Sequence, residues 1–330
     1  MRRSARSAFT LLELLIVISI FSLLMQLLIP AVQSARAAAR NLQCRDNLRQ
    51  IALASTTHEE RQGHFPTGGW SSAWLGDPDR GFGKRQPGGW AYTLLPFMDE
   101  NRLFALGRGQ SAVEKQRAAL QLCTTPRSGM NCPSRRNSGP HAIDPRRRPL
   151  DFFQLYDSPG GLVRSDYAMN AGSLPVTVIR TNYGLPATFD QADDPDFEWP
   201  YPDPEPNGVS YHRSEVRAAQ VSDGLSNTYL VGEKVMPTNH YFDGEHPGDN
   251  GSMYSGFDYD THRWANRESP PHRDQEDNGD HGRFGSVHVN GFNMAFCDGS
   301  VHHIAYSIDP SVHEYSANRK DGEVVSGGTQ

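Results

Sequence analysis

The most regular pattern in this chain is an apolar run near its N-terminus. Across residues 9–29 the one charged side chain is Glu13. A helix over this run would be about 31 Å long at 1.5 Å per residue, which matches a hydrocarbon core about 30 Å thick. A carboxylate inside that core costs about 2.5–3.5 kcal/mol and usually has a partner. The pattern therefore predicts a membrane-spanning helix with one acid that needs an explanation.

The helical pattern continues past the apolar run with an amphipathic spacing. Four residues recur at intervals of four, three and four, which gives the helix one face to bury: Cys44, Leu48, Ile51 and Ser55. Gly63 and Pro66 are residues that end helices. We predict one helix over residues 9–62, with the span at 9–29 and an amphipathic second half that packs on the rest of the chain.

The pattern of residues 63–330 predicts a β-rich head domain. Ser111 and Glu114 form a capping box that opens a helix running to about Leu122. Near the C-terminus, β-compatible residues flank Asp298-Gly299, which predicts a hairpin with a tight primed turn. The expected fold is α+β, with the long N-terminal helix packed on an antiparallel β-sheet and with large loops.

Composition narrows the class of protein. The chain has 330 residues, a formal net charge of −6, 31 glycines and 23 prolines. The acidic balance does not suggest a nucleic-acid-binding surface. The glycine and proline content favours a loop-rich exported domain.

Several polar residues are candidates for chemistry. Residues 241–281 are dense in Asp, Asn, Gly and His, and four carboxylates there have the oxygen ligands that calcium prefers: Asp243, Asp249, Asp258 and Asp260. Their spacing fits no EF-hand, so a solvated loop is favoured over a calcium site. Glu233 follows an apolar, strand-like segment, where a buried or capping carboxylate is favoured over a catalytic one.

The four cysteines lie beyond the predicted span, where disulfides persist: Cys44, Cys123, Cys132 and Cys297. Two bridges would allow three pairings, and spacing does not decide between them. No Cys or His pair repeats at zinc-finger spacing, so a zinc site is not expected.

Three interpretations of the N-terminus compete. A secretory signal has a shorter apolar core, of about 7–15 residues, and no acid within it. A plain membrane anchor, with arginines that keep the N-terminus cytoplasmic, leaves Glu13 unexplained.

The third interpretation accounts for both the length and the acid, because the region resembles the N-termini of type IV prepilins and type II secretion pseudopilins. The resemblance implies cleavage between Ala8 and Phe9, methylation of Phe9 by the prepilin peptidase/methyltransferase, and a role for Glu13 in assembly and methylation. The family usually has Gly where this chain has Ala8.

Cleavage would give Glu13 a partner. It converts the Phe9 nitrogen from an amide to an amine with a reference pKa near 8. A protonated amine pairs strongly with a carboxylate where the dielectric constant is low. We hypothesise that Glu13 pairs with the Phe9 amine of a neighbouring subunit, either another pilin-like protein or a second copy of this chain.

A second resemblance covers most of the chain. His288, nine residues and Asp298-Gly299 match the motif of the prepilin-type processing-associated family, whose function is unknown. Further matching segments contain Cys44, Asn131-Cys132-Pro133-Ser134 and Val231-Gly232-Glu233. Because the resemblance reaches both residues, it favours a Cys44–Cys132 disulfide. A structural role is favoured for the His–Asp-Gly motif over acid–base catalysis or metal binding.

These patterns predict a pseudopilin-like structural protein and not an enzyme. Its single span would lie in the inner membrane, with the N-terminus cytoplasmic and the head domain periplasmic or at the cell surface. The alternative is a membrane-tethered module that binds a ligand and does not polymerise. An exported hydrolase is disfavoured, since the segment around Ser226 lacks the Gly-x-Ser-x-Gly elbow.

Overall fold

The computed structural model describes residues 10–144, 160–174, 184–200, 204–277 and 279–323. Ala8 and Phe9, and with them the predicted cleavage position, lie outside the described residues. Tertiary contacts divide the chain into two compact units, one ending at Leu42 and the other comprising Gln43–Gln330.

The first unit belongs to a long helix, α1 (Leu11–Gln62), of 52 residues. The large apolar side chains at residues 11–29 are exposed in the structure, and this helix is long and apolar enough to cross a membrane. The helix ends where the sequence predicts, because Gly63 adopts a left-handed backbone conformation with φ of 79°.

Five shorter helices and seven strands follow in the described residues. The helices are α2 (Trp90–Thr93), α3 (Asn101–Phe104), α4 (Ala112–Thr124), α5 (Phe189–Asp193) and α6 (Pro310–Ala317). The strands are β1 (Tyr167–Asn170), β2 (Tyr229–Glu233), β3 (His262–Arg263), β4 (His272–Arg273), β5 (Gly285–Ser286), β6 (Gly291–Phe296) and β7 (Val301–Ala305). As predicted, a capping box between Ser111 and Glu114 opens α4.

Five of the strands form the main sheet, in the order β3-β1-β2-β6-β7. The pairs β1–β2, β2–β6 and β6–β7 are antiparallel, and β1–β3 is parallel. Strands β4 and β5 form a separate parallel pair. The fold is therefore α+β with a mainly antiparallel sheet and large loops, as the sequence predicts for a pilin-like protein.

Within the second unit, the part of α1 that follows Leu42 packs against the rest of the unit through the predicted face. Cys44, Leu48, Ile51 and Ser55 are all fully buried. Leu48 and Ile51 share one apolar cluster with residues of the main sheet, among them Tyr167, Leu230 and Ala295. The four-three-four spacing of the sequence thus identifies the side of α1 that contacts the sheet.

The hairpin β6–β7 forms around Asp298-Gly299, but its turn differs from the predicted one. Gly299 has φ of 87°, whereas Asp298 does not have a positive φ. The Gly299 N–H donates to the Phe296 carbonyl at 3.0 Å, and Asp298 Oδ1 accepts from the Ser300 N–H at 2.9 Å. This is a three-residue loop with glycine in its left-handed position. The prediction of a primed turn was wrong: only Gly299 has a positive φ, and the Asp298 carboxylate accepts a hydrogen bond from the backbone of Ser300 inside the loop.

Candidate functional site

Four side chains with metal-binding chemistry converge in the second unit. Their donor atoms all lie within 4.8 Å of one another: Cys44, Cys132, Glu233 and His288. We call this group the Cys44 cluster. Each residue comes from a different segment: α1, the segment after α4, the end of β2, and the connection between β5 and β6.

Regular structure positions the cluster. Cys44 lies on the buried face of α1. Glu233 ends β2 and lies opposite Tyr167 of β1 in the sheet register. The segment that carries His288 is held by the Tyr306 hydroxyl, whose oxygen lies 2.9 Å from the carbonyl oxygens of both Ser286 and His288 and whose one proton is donated to either of them.

The contacts within the cluster are short. The sulfurs of Cys44 and Cys132 are 2.8 Å apart. His288 Nε2 lies 3.8 Å from the Cys132 sulfur and 3.3 Å from Glu233 Oε1. Cys44, Cys132 and Glu233 are fully buried, so these polar groups interact with little screening by water.

A second layer of hydrogen bonds holds three of the four residues. Glu233 Oε2 accepts from Asn293 through its backbone N–H at 2.7 Å and its side-chain amide at 3.0 Å. The Cys132 N–H donates to Asp166 Oδ2 at 2.7 Å. The Tyr167 hydroxyl contacts Cys44.

The charge state follows from these contacts. The hydrogen bond from the Cys44 thiol lowers the pKa of Cys132 to about 6, and the same bond together with burial raises the pKa of Cys44. Burial opposes protonation of His288, but its contacts with Cys132 and Glu233 outweigh burial and raise its pKa to about 9. These contacts therefore favour the thiolate form of Cys132 and the protonated form of His288.

This arrangement differs from a catalytic triad. In a triad, the nucleophile and the orienting acid contact opposite nitrogens of the imidazole. Here Cys132 and Glu233 both face the same atom, His288 Nε2. Thiolate and carboxylate thus point toward one centre, as the ligands of a cation do.

The structure divides the His–Asp-Gly motif between two places. His288 precedes β6 and is a member of the Cys44 cluster. Asp298 and Gly299 follow β6 and form the hairpin turn. A six-residue strand spans about 20 Å, so the two parts of the motif do not act on one another directly.

The predicted Cys44–Cys132 disulfide concerns two cysteines that the structure brings together. No bond joins the two sulfurs in the structure. The other two cysteines, Cys123 and Cys297, are buried outside the cluster. The disulfide stays a prediction.

The four candidate calcium ligands are not gathered into one group. Asp249 binds Arg136 and Lys234, and Asp260 Oδ1 accepts from the Gly251 N–H. Asp243 binds His240, and Asp258 Oδ1 accepts from the Tyr259 N–H. Calcium binding by these residues stays a prediction without a shared site.

The expectation of a solvated loop at residues 241–281 was wrong. Asp249 and Asp260 are only 1% and 4% exposed. Asp249 is neutralised in the interior by Lys234, 15 residues earlier in the chain, and by Arg136, 113 residues earlier. A charge pattern within the segment does not reveal such partners.

At the start of α1, Glu13 has contacts within its own chain. Its Oε2 accepts from the Thr10 N–H at 2.9 Å and from the Thr10 hydroxyl at 2.8 Å. The Glu13 N–H in turn donates to the Thr10 hydroxyl oxygen at 3.2 Å. Thr10 and Glu13 therefore form a capping box. Thr10 is thus a local partner for the Glu13 carboxylate, and the sequence interpretation missed this partner.

The sequence interpretation also missed the cluster as a unit, since its members span residues 44–288. One feature of the sequence pointed to it. Each cluster residue belongs to a different segment of the family resemblance described above, which shows that these segments meet in space.

Two family profiles match this chain. One, described as a protein of unknown function (DUF1559), matches residues 33–311 and so includes the whole cluster. The other, described as the prokaryotic N-terminal methylation motif, matches residues 3–25 and confirms the predicted resemblance to type IV prepilins. No curated protein and no solved structure matches the chain.

Proposed function

This chain belongs to the DUF1559 family of proteins of unknown function, and on that premise we propose that it is a pseudopilin-like structural subunit. The leader is cleaved between Ala8 and Phe9, and Phe9 is methylated. The head domain lies in the periplasm or at the cell surface, and the N-terminal helix spans the inner membrane with its N-terminus on the cytoplasmic side. Other pilin-like subunits, or further copies of this chain, bind along that helix in a type II secretion or pilus-like apparatus.

One observation carries the proposal. The N-terminal methylation motif coincides with a helix whose apolar side chains at residues 11–29 are exposed and include one carboxylate. An exposed apolar surface of this extent is compatible with lipid or with the same surface of another subunit. Neither matched family is described as an enzyme.

The capping box gives Glu13 a second role that an experiment can separate from assembly. Glutamine also serves at this position of a capping box but carries no charge. Glu13→Gln therefore keeps the cap and loses the proposed ion pair with the Phe9 amine. Thr10→Ala is the matched control, because it removes the cap and keeps the carboxylate.

We expect mass spectrometry of the membrane-extracted protein to find an N-terminal peptide that begins with methylated Phe9. In crosslinking experiments on membranes, the wild type and Thr10→Ala should form ladders through the helix. Glu13→Gln should insert normally and lose the ladder by about tenfold or more, since one desolvated charge pair is worth at least about 1.4 kcal/mol.

Three results would contradict the proposal. The first is a mature protein that retains Met1. The second is cleavage after the apolar run, near Ala37, with release from the membrane, as in a secretory signal. The third is a wild-type protein that stays monomeric in the membrane, which would favour a tethered ligand-binding module.

A further inference from the structure

The geometry points to a structural zinc(II) site in the second unit, with four protein ligands: Cys44, Cys132, Glu233 and His288. This site does not depend on the proposed assembly function. It would join α1 to the end of β2 and to two connecting segments, so that a single ion fixes four distant parts of the chain.

The donor set is the first argument. Zinc is bound by thiolate sulfur at about 2.3 Å and by imidazole nitrogen and carboxylate oxygen at about 2.0–2.2 Å, and structural sites are tetrahedral with four protein ligands. The cluster provides two sulfurs, one nitrogen and one oxygen. Hard cations such as calcium prefer sites made only of oxygens, which this site is not.

The distances are the second argument. In a tetrahedral site with those bond lengths, a nitrogen and an oxygen lie about 3.3 Å apart and a sulfur and a nitrogen about 3.6 Å apart. The cluster has 3.3 Å between His288 Nε2 and Glu233 Oε1 and 3.8 Å between His288 Nε2 and the Cys132 sulfur. The two sulfurs, at 2.8 Å, must separate by about 1 Å to bind one ion.

The buried carboxylate is the third argument. Glu233 is fully buried, and among the described residues its Oε1 meets no donor in hydrogen-bonding geometry. This oxygen faces the centre of the cluster, whereas Oε2 is held by Asn293. His288 Nε2 lies 3.3 Å from this oxygen without a well-aligned hydrogen bond. Burying a carboxylate oxygen without one is costly, and a cation at the centre would bind it directly.

The outer contacts are those of a metal site. Ligands of metal ions are commonly oriented by a second layer of hydrogen bonds. Asn293 fixes Glu233, and Asp166 fixes the backbone of Cys132. Asn47 donates to the Tyr167 hydroxyl at 3.0 Å, which leaves the hydroxyl proton free to point toward the Cys44 sulfur.

A Cys44–Cys132 disulfide is the competing use of the same two sulfurs. It would need the sulfurs to approach to about 2.05 Å. A disulfide would not involve Glu233 or His288, whereas the metal site uses both as ligands. The two alternatives exclude one another and differ in metal content, in thiol count and in mass.

The test uses the full-length protein extracted from membranes without reductant or chelator. We expect elemental analysis to find about one zinc per chain. After denaturation in EDTA, iodoacetamide should modify all four cysteines. A metal-free chain in which only two cysteines react and Cys44 is linked to Cys132 would overturn the proposal.

Variants locate the metal. Cys44→Ser and His288→Gln should each lower the zinc content at least tenfold, while Cys123→Ser, which changes a buried cysteine outside the cluster, should retain it. Equal zinc in all of these proteins would assign the metal to another place and overturn the site.

A reconstitution with wild-type protein covers the case in which the variants fail to fold. Zinc-free, reduced protein is titrated with cobalt(II). We expect the visible absorption bands of tetrahedral cobalt and the sulfur-to-cobalt charge-transfer band to saturate at about one equivalent, and zinc(II) to displace them. Absence of these bands would overturn the proposal.

Discussion

At the scale of single residues, the second unit contains buried charges whose partners lie between 15 and 113 residues away in the sequence. Asp249 contacts Lys234 at 3.0 Å and also binds Arg136. Arg136 in turn contacts Asp166 at 2.7 Å. Burial opposes ionisation of Asp249, but Arg136 and Lys234 outweigh it and hold its pKa far below the ordinary range. Each of these charges is tolerated because its partners are present.

Removing one of these charges should therefore be costly. We expect Asp249→Asn to lower the free energy of unfolding by about 3–5 kcal/mol, because it leaves Lys234 and part of the charge of Arg136 uncompensated in the interior. Asp46→Asn is the control, since Asp46 pairs with Arg49 at the surface and should change stability by less than about 1 kcal/mol. Urea unfolding of the detergent-solubilised protein measures both, and similar small effects would contradict the argument.

At the scale of elements, α1 presents different environments along its length and around its circumference. Within the second unit, Leu48 is fully buried, whereas Leu53, on the same helix, is 65% exposed. Both residues are leucines inside the same helix, so replacing either by alanine changes helix propensity equally. Any difference between the two variants in the free energy of unfolding therefore reports packing.

This contrast gives a matched pair of variants. Leu48→Ala should lower the free energy of unfolding by about 2–5 kcal/mol, because it opens a cavity between α1 and the sheet. Leu53→Ala should change it by less than about 0.5 kcal/mol. The measurement is urea unfolding followed by tryptophan fluorescence. Equal effects would mean that this face of α1 does not pack as described.

At the scale of the whole molecule, buried histidines couple stability to pH. Burial lowers the pKa of five of them to about 3 or about 4: His58, His212, His246, His262 and His313. An unfolded histidine has a pKa near 6.5. Between these values the unfolded chain binds more protons than the folded chain, so stability falls as the pH falls.

The melting temperature should therefore drop as the pH is lowered from 7 to 5. His313→Phe should make this drop smaller, because it removes one of the protons taken up on unfolding. Differential scanning fluorimetry at constant ionic strength provides the measurement, and a melting temperature independent of pH in this range would contradict the argument.

Features with local causes could be predicted from the sequence alone. The end of α1 at Gly63, the buried face with Leu48 and the capping box at Ser111 depend on residues a few positions apart, so periodicity and capping chemistry suffice. The apolar run with Glu13 likewise indicated the membrane anchor and the N-terminal processing motif. The type of the hairpin turn was the local feature that was predicted wrongly. The Asp298 side chain bonds within a three-residue loop, and the expected two-residue primed turn does not form.

Only the tertiary structure brought Cys44, Cys132, Glu233 and His288 together and gave Asp249 its basic partners. These groups interact across most of the head domain, and their positions follow from how α1, the sheet and the connecting segments pack. Burial and charge neutralisation arise from that packing and have no period or spacing in the sequence. For this protein, the sequence determined the anchor and the class of fold, while packing decided which polar residues share a site.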